Sequence, residues 1–413
     1  MIAIENIKND HGTEMAAIIL CCRVFFGTAT NSELKQFVSA NNIDWYSLIR
    51  LARQHRIRPV IYPLLHRIDL PNDIKVLIYK QQAEITQLNW KQAIETERII
   101  MLLKKHGVQA VPYKGTAFSK QFFGDLVSRE SSDIDLIIQP ADLSKAIDVL
   151  KLDAYLPELD EVYNYLGTKY HSYYKDYNLN KYKNGQREFH IELHWAIAET
   201  YLNVNDKVNA FIYETGEPVK LLKADVAVLT QNAHFASVLI HHTIKDTFKY
   251  LKNIVDISQA LSIPGIKTYC DKLNIEFADI GLQKILAVSN ELSEQLMGIC
   301  LPKTEAAFSN VKAVKYFAKQ LCGNRIMASE TSSNILDWMH NRLLLQDSFL
   351  QRMKFYWISG IHRFIPASRD FELVKLPKSI FFVYYFMKPF RSIIKPFDTS
   401  ERKRKLIPLS SIE

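Results

Sequence analysis

Residues 111–138, VPYKGTAFSKQFFGDLVSRESSDIDLII, decide how this chain is read. The segment reads as a strand (108–113), a Lys114-Gly115 turn, a short helix opened by Thr116 and ending near Gly124, and a second strand. Asp133 and Asp135 lead into the apolar run Leu136-Ile137-Ile138. Side chains two apart on a strand share a face, so the spacing predicts two carboxylates converging at one sheet edge. Like charges this close repel, and without a counterion at least one folded-state pKa is expected to rise. A hard divalent cation with oxygen ligands is the usual counterion. Gly115 lets backbone N–H groups approach a phosphate, and a helix N-terminus adds favourable partial charge.

Working outward, Pro140 and Asp142 open a helix through residue 152, followed by a tyrosine-rich region at 155–182. A strand is expected over 169–179, a hairpin turn at Asn184-Gly185 and a return strand over 188–195. Alternation in the return strand sets His190, Glu192 and His194 on one face, Ile191 and Leu193 on the other. Glu192 then supplies a third carboxylate. Three acids around Mg²⁺ beside a glycine turn make a phosphoryl- or nucleotidyl-transfer arrangement. A rival reading makes His190, Glu192 and His194 the ligands of a zinc hydrolase. No Cys or further His lies nearby in sequence to complete such a site, which favours Glu192 as a metal-facing acid supported by His194. The neighbouring Tyr and Trp side chains are either core or a base-stacking surface, core being the commoner outcome for aromatics in a β-hairpin.

In order along the chain, Lys114-Gly115, Arg129, Asp133-Ile134-Asp135 and Glu192-Leu193-His194-Trp195 form a pattern. It resembles the polymerase-β-like nucleotidyltransferase superfamily and, more narrowly, a stand-alone bacterial branch of it. Thr116 stands where the superfamily commonly has Ser or Gly, and Glu192 where the branch often has Asp; hydroxyl and charge are kept. The resemblance implies an α+β fold, a nucleotidyltransferase core with a small mixed sheet between N- and C-terminal helical domains. It implies Mg²⁺-dependent (or Mn²⁺-dependent) transfer of an NMP group from an NTP to an acceptor hydroxyl. Asp133, Asp135 and Glu192 would be catalytic and metal-binding, while Lys114, Gly115, Thr116, Arg129 and Lys245 would bind the nucleotide. The acceptor is left open among a small molecule, a peptide or protein, and RNA. The alternative is a catalytically weak NTP-binding module.

Before this core, residues 1–107 read as helices. Ser32 is expected to cap one, Asp44 another, and a long amphipathic helix should run from Asp73 to Gly107. The apolar run at 15–26 is too short to span a bilayer, is interrupted by Arg23, and reads as a buried helix. Downstream, a continuous helix capped by Asp225 would place Lys245, Lys249 and Lys252 on one face. The expected organisation is 1–107 helical, 108–200 core, 201–355 helical and 356–413 an aromatic, basic tail. With Pro389 and Pro396 breaking any long helix, the tail is expected to pack on the helical domain rather than lie on a membrane. A hydrophobic content of 48% and charged content of 23% exclude wholesale disorder. The charge of +8 suits a phosphate-bearing ligand without demanding nucleic acid. Five cysteines without a CxxC pair point to a reducing cytoplasm.

Overall fold

The computed structural model describes residues 1–199, 202, 206–301, 311–323, 335–362, 364–366 and 368–394. Six helices come first: α1 (Ile4–His11), α2 (Thr13–Phe25), α3 (Asn31–Ala40), α4 (Trp45–Gln54), α5 (Arg58–Leu65) and α6 (Asn72–Lys105). The apolar run becomes α2, buried from Met15 through Arg23. Arg23 is tolerated there because the carbonyls of Ile2, Gln295 and Leu296 accept from its guanidinium. Asp44 caps α4 as expected. Helix α3 starts earlier than Ser32 predicts. Thr30 is its cap, because the Thr30 hydroxyl accepts from the Glu33 N–H while the Glu33 carboxylate accepts from the Thr30 N–H.

Strand β1 (Ala110–Pro112) leads through α7 (Gly115–Phe118) and a π-helical turn (Ser119–Phe123) to β2 (Ile134–Ile138). Next come α8 (Leu143–Leu152), β3 (Leu156–Pro157), α9 (Asp160–Leu166) and α10 (Tyr170–Tyr173). A hairpin of β4 (Asp176–Lys183) and β5 (Gln186–His194) turns at Asn184 and Gly185, with φ of 52° and 77°. Positive values at both positions make the turn that matches strand twist. The strand expected from residue 169 begins only at Asp176. Helical spacing before it stacks Tyr170 on Tyr174, and Tyr170 also meets Tyr163, Tyr177 and Trp195.

The architecture is α+β, with helices around one small mixed sheet of order β1-β2-β5-β4-β3. Only the β2–β5 pair in this sheet is parallel, and its register sets Asp135 beside Glu192 and Ile137 beside His194. Strand alternation then divides the cores. Ile137, Val111 and Tyr113 join a core that the N-terminal and C-terminal helices share. Leu136, Ile138, Ile191 and Leu193 face the other side, with α8 and Tyr155, Tyr170 and Tyr177.

The remainder comprises α11 (Asp206–Ala210), a ribbon of β6 (Val219–Lys220) and β7 (Asp225–Val226), and then helices. These are α12 (Gln231–Ile240), α13 (Leu251–Leu261), α14 (Pro264–Ile280), α15 (Gln283–Met297), α16 (Val311–Cys322), α17 (Ile335–Leu344), α18 (Phe349–His362), α19 (Ser368–Leu373) and α20 (Val383–Ile394). The continuous helix expected from Asp225 is not formed. Asp225 lies in β7, Thr230 caps α12, and the chain turns at Thr247 and Phe248, where φ is 50° and 53°. That turn buries Phe248 against Phe317, so Lys245, Lys249 and Lys252 share no helical face.

The tail packs elsewhere than expected. Phe371 and Tyr384 enter the core beneath the sheet and pack their rings against Tyr165. Pro389 lies inside α20, which continues to Ile394 although a proline removes one helical hydrogen bond. Arg363, Lys395, Pro396 and the basic run at 401–405 lie outside the described residues. Among the described residues, no helix is long and apolar enough to cross a membrane.

Candidate active site

The turn after β1 is conformationally costly. Lys114 has φ 60° and ψ −144°, a region rare for residues with a Cβ. Two contacts hold it there. Its N–H donates to His234 Nε2 at 3.1 Å, and its ammonium lies 2.8 Å from Asp135 Oδ1. His234 in turn uses Nδ1–H on Gln121 Oε1 at 2.7 Å, which fixes the tautomer that accepts from Lys114. Burial, then the Arg129 charge, pushes the His234 pKa down to about 3, so the ring stays neutral for this task. Gly115 follows with φ 42°; a Cβ there would meet Ser131 Oγ at 3.0 Å. Strain of this kind persists where the surroundings over-determine it, and such places cluster at ligand sites.

Opposite this turn stand the acids. Asp135 accepts from His194 Nε2–H at 3.0 Å, and the same nitrogen lies 3.1 Å from Glu192 Oε2. Burial alone would raise the Asp135 pKa, but Lys114 and His194 pull it down to about 2. Glu192 is likewise held well below its usual range, burial being outweighed by His190 and His194. For Asp135 and Glu192 the shift therefore runs opposite to the rise expected from crowding. Lys114 and the buried, neutral His194 supply the positive and donor groups that a metal would otherwise bring. Asp133, at the mouth of β2, lines the same cleft and accepts from Ser132 Oγ at 2.8 Å. Ligand atoms of Asp135, Glu192 and His194 lie within 4.8 Å of one another, so this donor set suits a divalent cation. Asp133, one of the three expected metal ligands, is not in that group, and neither is His190. Its Nδ1 faces Asn180 Oδ1 at 2.8 Å and its Nε2 is 3.6 Å from Glu192, so the three-ligand zinc set does not assemble.

The far wall comes from α13. Arg129, behind the Gly115 turn, places Nε 3.0 Å from both oxygens of Asp256 and Nη2 2.9 Å from Oδ2. His242 Nε2 donates to the same carboxylate at 2.9 Å while its Nδ1 accepts from Asn253 at 2.7 Å. Although His242 belongs to a second possible ligand group with His241 and Asp246, both of its nitrogens are thus engaged. Burial opposes the charge on Asp256, but Arg129 and His242 hold its pKa far below the usual carboxylate range.

Between these walls lies a cleft of about 260 Å³. Lys245 lines it from the π-helical turn after α12 (His241–Lys245), and Lys249 from the loop beyond. Lys252 lines it too, but its ammonium donates to the Glu130 carbonyl at 2.6 Å. Thr116 is buried one residue beyond the turn. Two cations escaped the sequence reading. Arg56 reaches the cleft from the turn after α4, its guanidinium 4.7 Å over the Tyr250 ring. Lys175, just before β4, is paired with Asp176, and burial followed by the Lys245 charge lowers its pKa to about 7. Neither carries a local signal for its role: Arg56 meets Tyr250, and Lys175 acquires its burial and the Lys245 charge, only through tertiary packing.

Residues 41–298 match the profile of a family described as uncharacterised nucleotidyltransferase. The chain belongs to that family. The matched span contains the sheet, the Lys114-Gly115 turn, all three acids and the helix carrying Asp256. Membership supports nucleotidyl transfer as the general chemistry. No curated protein matches the chain.

Proposed function

We propose that the cleft moves the NMP group of an NTP onto an acceptor hydroxyl, on a polymerase-β-like core spanning residues 108–200. The observation that carries this reading is the parallel register that sets Asp135 beside Glu192, facing the strained Lys114-Gly115 turn. Mg²⁺, or Mn²⁺ in its place, would be held by Asp133, Asp135 and Glu192, and when bound supplies charge that polarises the phosphoryl group. Backbone N–H groups at Gly115 and Thr116 receive the β- and γ-phosphates. Lys245, with Arg56 and Lys249 at the rim, balances their charge. Lys114 neutralises the charge that builds on the leaving pyrophosphate. Arg129, committed to Asp256, acts from behind the turn by fixing its position. Glu192, oriented by His194, takes the acceptor's proton as the new oxygen–phosphorus bond forms and the bond to pyrophosphate breaks.

The runner-up, an NTP-binding module without transfer, draws on one observation. Lys114, His190 and His194 already occupy the carboxylates that a metal would need. Incubating purified protein with α-labelled NTP and cell extract separates the two readings. Transfer predicts Mg²⁺-dependent label on an acceptor, with pyrophosphate released and both lost in Glu192→Gln. Binding of the NTP with no pyrophosphate release leaves the module.

A further inference from the structure

Helix α18 buries only part of its circumference. Phe355 is fully buried and stacks on Trp338, with ring centroids 5.8 Å apart. On the opposite side Leu350, Met353, Trp357, Ile361 and, just past the helix, Phe364 form a stripe at spacings of three and four. All of them are exposed, Leu350 by 78% and Trp357 by 72%. Apolar side chains scattered singly on a surface need no explanation, but a continuous stripe of this size marks a contact site. Helix α20 extends the platform. Lys388 donates to the carbonyls of His362 and Ile365 at the end of α18, and Phe382 and Phe386 stand exposed beside it.

Charge identifies what covers this surface. In sequence, residues 349–413 hold 13 Lys and Arg against 5 Asp and Glu, an excess equal to the chain's formal charge of +8. Neither α18 nor α20 contains an acidic residue, and the exposed cations Arg352 and Lys354 flank the stripe on either side. A second copy would bring the same cations face to face, because a two-fold interface pairs a patch with itself. A partner for this face must be anionic and must accept Trp, Leu and Ile in one plane. That combination is the signature of a helix lying at a lipid–water interface.

We infer that α18 docks on an anionic lipid bilayer, with the Leu350–Phe364 stripe inserted at headgroup depth and its flanking cations on the headgroups. No spanning segment is required. The docking surface stands apart from the catalytic cleft and does not depend on the reaction proposed for it.

The test is co-sedimentation of the full chain with phosphatidylglycerol or phosphatidylcholine vesicles. The expected result is binding to the anionic vesicles at low salt, reduced in phosphatidylcholine and in about 0.5 M salt, where the Debye length is only a few ångströms. The double variant Trp357→Ser, Ile361→Ser should partition about tenfold more weakly, since each side chain loses its apolar burial, at an unchanged melting temperature. Met353→Ser provides a milder second variant should the double variant melt early. Three results overturn the inference: a parent that leaves anionic vesicles unbound, stripe variants that bind as the parent does, or a parent dimer that the stripe variants turn into monomers.

Discussion

Two buried ion pairs face each other across the cleft, and they are built to different ends. Arg129–Asp256 is closed at its carboxylate: Arg129 lines the cleft as Lys114 does, but Asp256 does not. The carboxylate accepts from one guanidinium and one imidazole, is fully buried, and has its second-line partners in Asn253 and Gly115. Lys114–Asp135 is only half closed, because Asp135 and Glu192 line the cleft and share the single N–H of His194. A closed pair gains nothing from a ligand, so it fixes the position of the turn and of α13. A pair open on one side can exchange its internal cation for an external one. The difference assigns structural work to one wall and chemistry to the other.

The largest effect that can break this comparison is on stability. Arg129→Met should cost about 3–5 kcal/mol in urea unfolding, because it strands a buried charge. Lys114→Met should cost less, about 1–3 kcal/mol, since Asp135 keeps His194 and a solvent-facing side. Equal costs would erase the distinction between the walls. A pH series sharpens it. Asp256 has a folded pKa below its unfolded value, so the stability it contributes is fully present above about pH 4 and is lost as pH falls below that. Without Arg129, burial should raise the Asp256 pKa, so acid relieves the variant. Parent and variant stabilities should therefore converge between about pH 5 and pH 3, and parallel curves would show that Arg129 does not hold Asp256 ionised. The smallest effect lies among the lysines. Lys245→Ala should weaken NTP binding about tenfold by calorimetry, and Lys252→Ala, already tied to Glu130, about twofold. Equal and negligible changes would leave Lys245 as a solvated cation.

Much of the acid wall is legible in the sequence because its signals are local. Two-residue spacing brings Asp133 and Asp135 to the same cleft, though only Asp135 joins the ligand group; alternation gives Glu192 and His194 against Ile191 and Leu193, and Asn184-Gly185 gives the hairpin that carries them. The parallel register that joins Asp135 to Glu192 is not local, and only the order of motifs hinted at it. The closed wall is harder to read. Arg129 and Asp256 are separated by 127 residues, and nothing in either neighbourhood shows that they satisfy each other. The same limit hid Arg56 and Lys175. It also misled the reading of the lysines after α12, where helical periodicity continued in sequence but burial of Phe248 turned the chain. The electrostatic error was similar in kind. Counting carboxylates predicts repulsion, whereas the fold brings in Lys114 as a counterion and the neutral His194 as a hydrogen-bond donor.

That exchange of an internal cation for an external one is the central claim, and calorimetric titration of NTP with and without Mg²⁺ tests it most directly. The parent should bind NTP more tightly when Mg²⁺ is present, by about tenfold or more. Asp135→Asn should bind metal-free NTP about as the parent does and lose that Mg²⁺-dependent gain. If Asp135→Asn keeps the full gain, the metal-bound nucleotide does not meet the acid wall, and the assignment of chemistry to it is contradicted.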